Sequence, residues 1–599
     1  MILVSILDDH RFAVNTGDLA LLDAIKDKVD GTKSRGQPII VAPNKSLPKI
    51  LDFAPEPISY GKGVQDRLAS IAANAQKREI TIAKIKGSYP NAIKFDYEYR
   101  GVYPTVMDHQ KIMFNMIAYP DVSSIISEPG TCKTGPYLWA IDKRIQRGQV
   151  KKALVITLSQ LKENVLAEMA IQVPHLKGVV LDSAVQSSNI LNKTYKVQKK
   201  NRDYDVYIAN YESMFSIVEM VPKDYFDMVI LDECHRIGSH QSRQTKAIID
   251  FCENVKYKSI LTGTLHANNE MSFFMPFRFL GSDTVPTASY FGFRNMWMYP
   301  VDPDKRIWKP TGGMQYEVSQ IVGKISVMFM KEECLTLPPL IVETVKGDME
   351  GDQKAFYDTF KKDLVAKIDD MCKKCSKKNN CDNLCENEME AKNALVLSGK
   401  LLQIASGIFI NTRYEINENG QEKNVSPVIF FKSNPKLQLL KSVLLTIPEN
   451  RKVIIWSQYV EVIKLIAEDL GKSFGEDRVI TCYGDQDAFA QVNKFRDNPR
   501  LLWMVANPAK MGVGFNIQFS SYMVFFSCDY SYIKYDQAIG RQHRQGQTDK
   551  VTAFNLAMRH SMDEIVYRAI SRKHDLGLSL SQFSRVIQGG VEAYDKIDQ

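Results

Sequence analysis

Met228-Val229-Ile230-Leu231-Asp232-Glu233-Cys234-His235-Arg236-Ile237 sets a four-residue apolar run directly against two acids, a histidine and an arginine. A short apolar run bounded by charge reads as a strand buried on both faces of a parallel sheet. In open α/β sheets, ligands collect just past the carboxyl ends of the strands, which puts Asp232 and Glu233 on the binding edge. Two carboxylates there are costly unless a cation or a reacting group meets them. An Asp that holds Mg²⁺, followed by a Glu that orients a water, is what nucleoside triphosphate hydrolysis needs. An acidic helix N-cap after a strand is the competing reading, since Asp suits that position.

About a hundred residues upstream, the apolar stretch Val122–Ser127 reads as a strand and is followed by Glu128-Pro129-Gly130-Thr131-Cys132-Lys133-Thr134-Gly135. Strand, glycine-bearing loop, Lys-Thr and helix make a phosphate cradle. Backbone N–H groups and a helix N-terminus meet the anion, Lys133 reaches the outer phosphates, and the Thr134 hydroxyl reaches Mg²⁺. Gly130, Thr131, Cys132 and Gly135 complete the candidate nucleotide-binding loop. Two departures stand out: Cys132 occupies the usual glycine position before the lysine, and Ser127 that of the loop's first glycine.

Further strands are expected at Ala153–Ser159, Asp205–Tyr211 and Ser259–Thr264, the last closing the first sheet. Lys196, Lys199, Lys200 and Arg202 precede the second of these, as a solvated face or as a contact to a phosphate backbone. Strands alternating with helices over about 100–285 indicate a doubly wound α/β domain. A second such domain is expected near 432–580, with strands at Lys452–Ser457, Leu501–Ala506 and Met523–Ser527. After these comes Tyr535-Asp536-Gln537-Ala538-Ile539-Gly540-Arg541-Gln542-His543-Arg544-Gln545-Gly546-Gln547. Arg541 and Arg544 are three apart and on a helix would share a face. They read as a basic stripe or, better, as arginine fingers that neutralise charge on a γ-phosphate.

A chain of 599 residues is too long for one core and implies about three or four domains. Its 44% hydrophobic and 24% charged content is that of an ordinary soluble globular protein, and no apolar run is long enough to cross a bilayer. The start, Met1–Asp9, lacks a basic region and reads as a strand rather than a signal peptide. The expected location is therefore a bacterial or viral-host cytoplasm with no membrane partner, nuclear residence staying open. A net charge of +8 is compatible with a polyanionic partner. Residues 1–95 read as a small α+β accessory domain, either packing or touching DNA. Within it strands are expected at Phe12–Val14 and Ile39–Pro43 and a helix over about 64–77, with a further element beginning at Ile82.

Of ten cysteines, Cys372, Cys375, Cys381 and Cys385 fall within fourteen residues and the rest are scattered singly. Paired spacing and soft ligands favour a tetrahedral Zn²⁺ site, with lysines between them stabilising thiolates. Free thiols in a solvated loop and an iron–sulfur cluster are the alternatives.

The order of these motifs resembles the Swi/Snf-type ATPases of helicase superfamily two over roughly residues 100–575. Asp232-Glu233-Cys234-His235-Arg236-Ile237 is similar to the family's Asp-Glu-x-His box, and Leu261-Thr262-Gly263-Thr264 to its third motif, although Leu265 stands where proline is usual. Leu335-Thr336-Leu337-Pro338-Pro339 with Gln353 and Tyr357 resembles the segment between lobes, and Gly512–Asn516 the fifth motif. Gln537 to Gln547 nearly reproduces the sixth. The layout, with an N-terminal segment ahead of the motor, is similar to annealing helicases and phage UvsW-type helicases.

The resemblance implies two RecA-like doubly wound parallel-sheet lobes (96–285 and 432–580) that sandwich ATP with Mg²⁺. Between them would lie a helical, cysteine-bearing region (286–431), and after them a tail (581–599). Carried over, Gln110 would contact adenine, while Lys133, Thr134, Gly514 and Gln537 would line the nucleotide site. Asp232 would bind Mg²⁺, Glu233 would activate water, and Arg541 and Arg544 would act as fingers. Ser159, His235, Thr262 and Thr264 would link ATP state to DNA. The implied function is a DNA-dependent ATPase that translocates on duplex or branched DNA. A weakly or non-hydrolysing nucleic-acid clamp and an RNA helicase are the alternatives.

Overall fold

The computed structural model describes residues 2–6, 11–15, 25, 32–33, 39–43, 58–60, 64–99, 105–182, 187–188, 190–191, 204–263, 271–287, 289–300, 308–374, 388–411, 413–416, 422–425, 427–511, 517–529 and 531–572. The chain divides into two units, Met1–Leu335 and Thr336–Gln599.

The first unit begins with a five-stranded sheet in the order Thr32–Lys33, Ile39–Pro43, Arg11–Asn15, Ile2–Ile6, Ile58–Tyr60. Its pairs are antiparallel except the last. The helix that follows is continuous from Val64 to Gly87, where the sequence suggested a break near residue 77. No Gly or Pro interrupts it before Gly87 and it is rich in alanine, so nothing stops propagation. Arg78 fastens it to the rest of the unit. This side chain is 8% exposed, with Nη2 donating to Asp283 at 2.8 Å and Nη1 to Asp121 at 3.5 Å.

The main sheet has seven strands, all parallel, in the order Ser326–Phe329, Val122–Ser127, Tyr257–Thr262, Met228–Asp232, Ala153–Thr157, Val206–Asn210, Gly178–Leu181. Met228, Val229, Ile230 and Leu231 are fully buried, as an interior parallel strand with helices over both faces requires. Tyr257–Thr262 does not close the sheet as expected. Ser326–Phe329, which the sequence assigned to the region between lobes, lies beyond it at the edge. The Ala153 strand ends at Thr157, and Ser159 opens a 3₁₀ turn instead of extending it.

The second unit is built on six parallel strands, in the order Leu340–Gly347, Val551–Met558, Tyr522–Phe525, Val453–Trp456, Trp503–Ala506, Val479–Cys482. Gln353 and Tyr357 are cross-links in this unit. Gln353 Nε2 donates to the Ile404 carbonyl at 2.7 Å, and the Tyr357 hydroxyl accepts from Met562 N at 3.0 Å. Cys375, Cys381 and Cys385 lie outside the described residues, and Cys372 is described only as backbone of the helix Gly351–Lys374. Among the described residues no group of three or more His, Cys, Asp or Glu is arranged to hold a metal ion, so the zinc reading stands on cysteine spacing alone. No described helix is long and apolar enough to cross a membrane.

Candidate active site

Four adjacent strands of the first sheet end on polar residues along one carboxyl edge: Ser127, Thr262, Asp232 and Thr157. Neighbouring strands lie about 4.8 Å apart, so residues as far apart in sequence as Ser127 and Thr262 share a small area. This edge is where parallel α/β sheets bind ligands.

The loop after Ser127 turns through Gly130, at φ +94°, and Cys132, at φ +60°, into the helix Thr134–Gln146. Left-handed φ is cheap for glycine and costs another residue roughly 1–2 kcal/mol. Cys132 therefore holds the backbone of the expected glycine, under strain. Buried hydrogen bonds keep the loop in shape. Thr131 Oγ1 meets Ser127 Oγ at 2.6 Å and donates to the Glu128 carbonyl at 2.9 Å, and His109 Nε2 reaches the Thr131 carbonyl at 3.1 Å. Lys133 Nζ donates to the carbonyls of Ser127 (2.7 Å) and Glu128 (3.3 Å), which aims the ammonium back into the loop. Gln110, on the preceding helix, accepts from Met107 N at 3.1 Å and donates to the Cys132 carbonyl at 3.4 Å, so it sits against this loop. Glu128 ties the loop to the unit's edge: its N–H donates to Phe329 O at 3.2 Å and its carboxylate accepts from Lys331 N at 2.7 Å.

Asp232 is buried and receives the Thr157 hydroxyl at 3.4 Å, while its carbonyl accepts the Tyr211 hydroxyl at 2.8 Å. Burial, reinforced by the adjacent Glu233 carboxylate, raises its carboxyl to about 6 even though the Lys133 ammonium pulls it down. A buried carboxyl that is costly to ionise, with a second carboxylate beside it, is a donor set matched to a hard divalent cation. Mg²⁺ needs only one or two carboxylates when substrate phosphates supply other ligands. Glu233 adopts φ +56°, and its carboxylate lies 3.4 Å from His235 Nδ1. Thr262 Oγ1 lies 3.4 Å from the same nitrogen, so His235 joins the second acid to the end of the neighbouring strand. Gly263 closes the circuit: a Cβ there would stand 3.0 Å from Pro129 Cδ, so the residue after Thr262 must be small to pack on the phosphate loop.

The structure thus brings Gly130, Thr131, Cys132, Lys133, Thr134, Asp232, Glu233, His235 and Thr262 to one edge. Ser159 does not join them; it is exposed beyond the strand, and Thr157 reaches Asp232 in its place. Gly135 is spent on packing, a Cβ there standing 2.9 Å from the Trp139 ring. Thr264 and Gly514 lie outside the described residues. Sequence reasoning missed Thr157, Glu128, Tyr211 and Gly263 as working positions. Thr157 was detectable as the one hydroxyl ending an otherwise apolar strand.

In the second unit, Gln537 and Arg541 lie on the helix Tyr532–Gln542. The expected shared helical face for Arg541 and Arg544 is corrected, because the helix stops at Gln542 and Arg544 falls in the turn that follows. Two glutamines stop it there. Gln542 Nε2 donates to Ser520 Oγ (2.7 Å) and the Tyr522 carbonyl (3.0 Å), and Gln547 Nε2 donates to the carbonyls of Gln518 (3.0 Å) and Ser520 (3.1 Å). Gly546 supplies the φ of +94° the turn requires, and His543 Nε2 meets the Pro338 carbonyl at 2.8 Å. The motif is a pinned loop that carries two guanidinium groups on a fixed backbone.

Residues 105–397 match the model of the SNF2-related domain, and residues 435–546 that of the helicase conserved C-terminal domain. The CHD3-type chromatin-remodeling factor CHR7 of Arabidopsis thaliana is 21% identical over 404 residues, which cover 66% of this chain and 30% of that protein. Putative protein p41 of Acyrthosiphon pisum secondary endosymbiont phage 1 is 20% identical over 478 residues, 77% of this chain and 95% of the phage protein. The chain thus spans under a third of the plant relative and nearly all of the phage one. Among solved structures, the Sulfolobus solfataricus SWI2/SNF2 ATPase core in complex with dsDNA aligns with a TM-score of 0.36 and 19% identity, covering 84% of this chain and 96% of that one.

Proposed function

This chain belongs to the Swi/Snf-type ATPases of helicase superfamily two, and from that premise we propose that it is a DNA-stimulated ATP hydrolase that moves along duplex or branched DNA. The observation that carries this reading is the meeting of Lys133, Asp232, Glu233 and Thr262 at the ends of three adjacent strands, with the Asp232 carboxyl raised to about 6. A family relative that remodels chromatin and a net charge of +8 support DNA as the polyanion.

Phosphoryl transfer to water asks a protein for positioning and charge stabilisation more than for covalent chemistry. The loop 128–134 cradles the phosphates, and Lys133 exchanges its two carbonyl partners for phosphate oxygens. Asp232 and Thr134 would hold Mg²⁺, which when bound would neutralise charge on the outer phosphates. Glu233 orients the attacking water and is itself held by His235, whose other neighbour, Thr262, ends the adjacent strand. Gln110 recognises the base. Arg541 and Arg544 of the second unit, with Gln537 beside them on the same motif, stabilise charge on the γ-phosphate as it leaves.

The test is steady-state ATP hydrolysis by the full chain with and without duplex DNA, forked DNA and RNA. Duplex or forked DNA should stimulate turnover more than RNA does. Lys133→Ala and Glu233→Gln should each cut turnover by about a hundredfold or more while leaving DNA affinity within about twofold. Wild-type turnover in either variant, or no stimulation by any nucleic acid, would overturn the reading.

A further inference from the structure

Just beyond the His235 turn, a ladder of rings breaks the surface of the first unit. His240 stacks on Tyr290, with centroids 3.7 Å apart and planes within 11°, and meets Phe291 edge-on at 5.2 Å. Arg294, on the same helix Tyr290–Trp297, lies 5.1 Å from the Phe291 ring and 3.7 Å above Trp308. The helix is held from beneath, where Phe293 is buried against Phe273 and Phe274 at 5.5 and 5.4 Å. Positions 290 and 293 face that core, and position 291 is turned away from it, leaving Phe291 51% exposed. The strand pair that follows sets Tyr299, 50% exposed, directly opposite the exposed Lys309.

Rings and Arg also occur at protein-docking patches, but Lys is depleted there, and exposed lysines border this surface. Here a guanidinium stands in the middle of the ladder, between Phe291 and Trp308, and the exposed Arg243, Lys246 and Lys309 flank it. Burial together with the cations Lys246 and Arg294 pushes the pKa of His240 down, which keeps it a neutral ring at pH 7. Half-exposed rings interleaved with cations match a ligand that offers π-faces joined by phosphates. In a duplex those faces are covered by neighbouring bases; only unpaired nucleotides present them.

We infer that His240, Tyr290, Phe291, Arg294 and Trp308 form a stacking platform for unpaired bases of a nucleic-acid strand. This deepens the reading of the chain as a DNA-acting motor and rests on it. It supplies a preference for DNA with a single-stranded arm, beside the duplex that drives hydrolysis.

The test measures binding of a fluorescent twenty-nucleotide oligo-dT to the full-length chain by anisotropy, alongside duplex-stimulated ATP hydrolysis. Wild-type protein should bind the oligomer, Phe291→Leu should weaken binding about tenfold or more, and Phe291→Tyr should stay within about twofold of wild type. Duplex-stimulated turnover should be unchanged in both. Lys309→Gln, a second variant independent of the ring, should reduce the slope of log affinity against log salt by about 0.7. Failure of the wild type to bind oligo-dT, or wild-type binding by Phe291→Leu, would overturn the inference. So would concentration-dependent self-association that Phe291→Leu abolishes, since that makes the patch a protein contact. Absence of duplex stimulation with intact oligo-dT binding would instead sink the motor reading and leave the platform standing.

Discussion

Cys132 carries a glycine's backbone with a side chain attached, at φ +60°. Cys132→Gly removes that conflict and, after the entropy glycine adds to the unfolded chain, should stabilise the first unit by about 1 kcal/mol in urea unfolding. A loss of stability would mean the thiol's own contacts outweigh the strain. Asp232 shows the opposite trade, in which a site residue costs the resting fold. Its folded carboxyl titrates near 6, above its ordinary 3.8. As pH rises from about 4 to 6, the unfolded chain releases this proton first, so the folded state binds more protons and loses stability, by up to roughly 3 kcal/mol. Nucleotide-free Asp232→Asn should therefore melt several degrees above wild type at pH 8 and level with it at pH 4, while hydrolysing no ATP. A lower melting point at pH 8 would refute the linkage. Asp232 and Glu233 were legible in the sequence because they close a strand signal, and Lys133 because it ends the glycine-bearing loop that follows one. Thr157 was visible only as a hydroxyl ending a strand; its pairing with Asp232, 75 residues away, comes from strand adjacency.

At the scale of elements, continuous apolar runs such as Met228–Leu231 announced the parallel strands, while short or half-exposed ones did not. Ser326-Val327-Met328-Phe329 is four residues long, directly follows the helix Met314–Ile325 and exposes Met328, so its pattern does not separate it from that helix. The break expected near residue 77 does not occur in the helix Val64–Gly87, since no Gly or Pro stands before Gly87 to stop it. Arg544 was placed on a helix because spacing alone does not reveal Gln542 and Gln547 drawing the chain into a turn. Element packing in the second unit hinges on a fully buried ion pair, Lys436 to Asp563 at 2.7 Å, between the helices Pro435–Leu444 and Met562–Ser571. Burial pushes the Lys436 pKa down and Asp563 pulls it back up, so removing one partner strands the other. Lys436→Ala should cost about 3–5 kcal/mol in urea unfolding, and Lys436→Met with Asp563→Asn should recover much of that. A cost below about 1 kcal/mol for the single variant would show that water already reaches the pair.

For the whole molecule, two all-parallel sheets in two units were readable from the order of strand and motif signals; the helicase C-terminal match (435–546) lies within the second unit, while the SNF2-related match (105–397) covers the first sheet and runs on past Leu335. The Cys372–Cys385 segment lies largely outside the described residues, so spacing remains its whole argument. If the second unit's arginines serve the first unit's nucleotide, binding and turnover must separate. Arg541→Ala should bind a fluorescent ATP analogue within about threefold of wild type and lose about a thousandfold or more in DNA-stimulated turnover. Equal losses in both would place Arg541 in ground-state binding instead. The Glu128 carboxylate, clasping the backbone of Lys331, has a mechanical consequence. Only three residues lie between Lys331 and Leu335, where the first unit ends. A strut that short has almost no slack, so the position of the cradle is fixed against the last residues of the first unit.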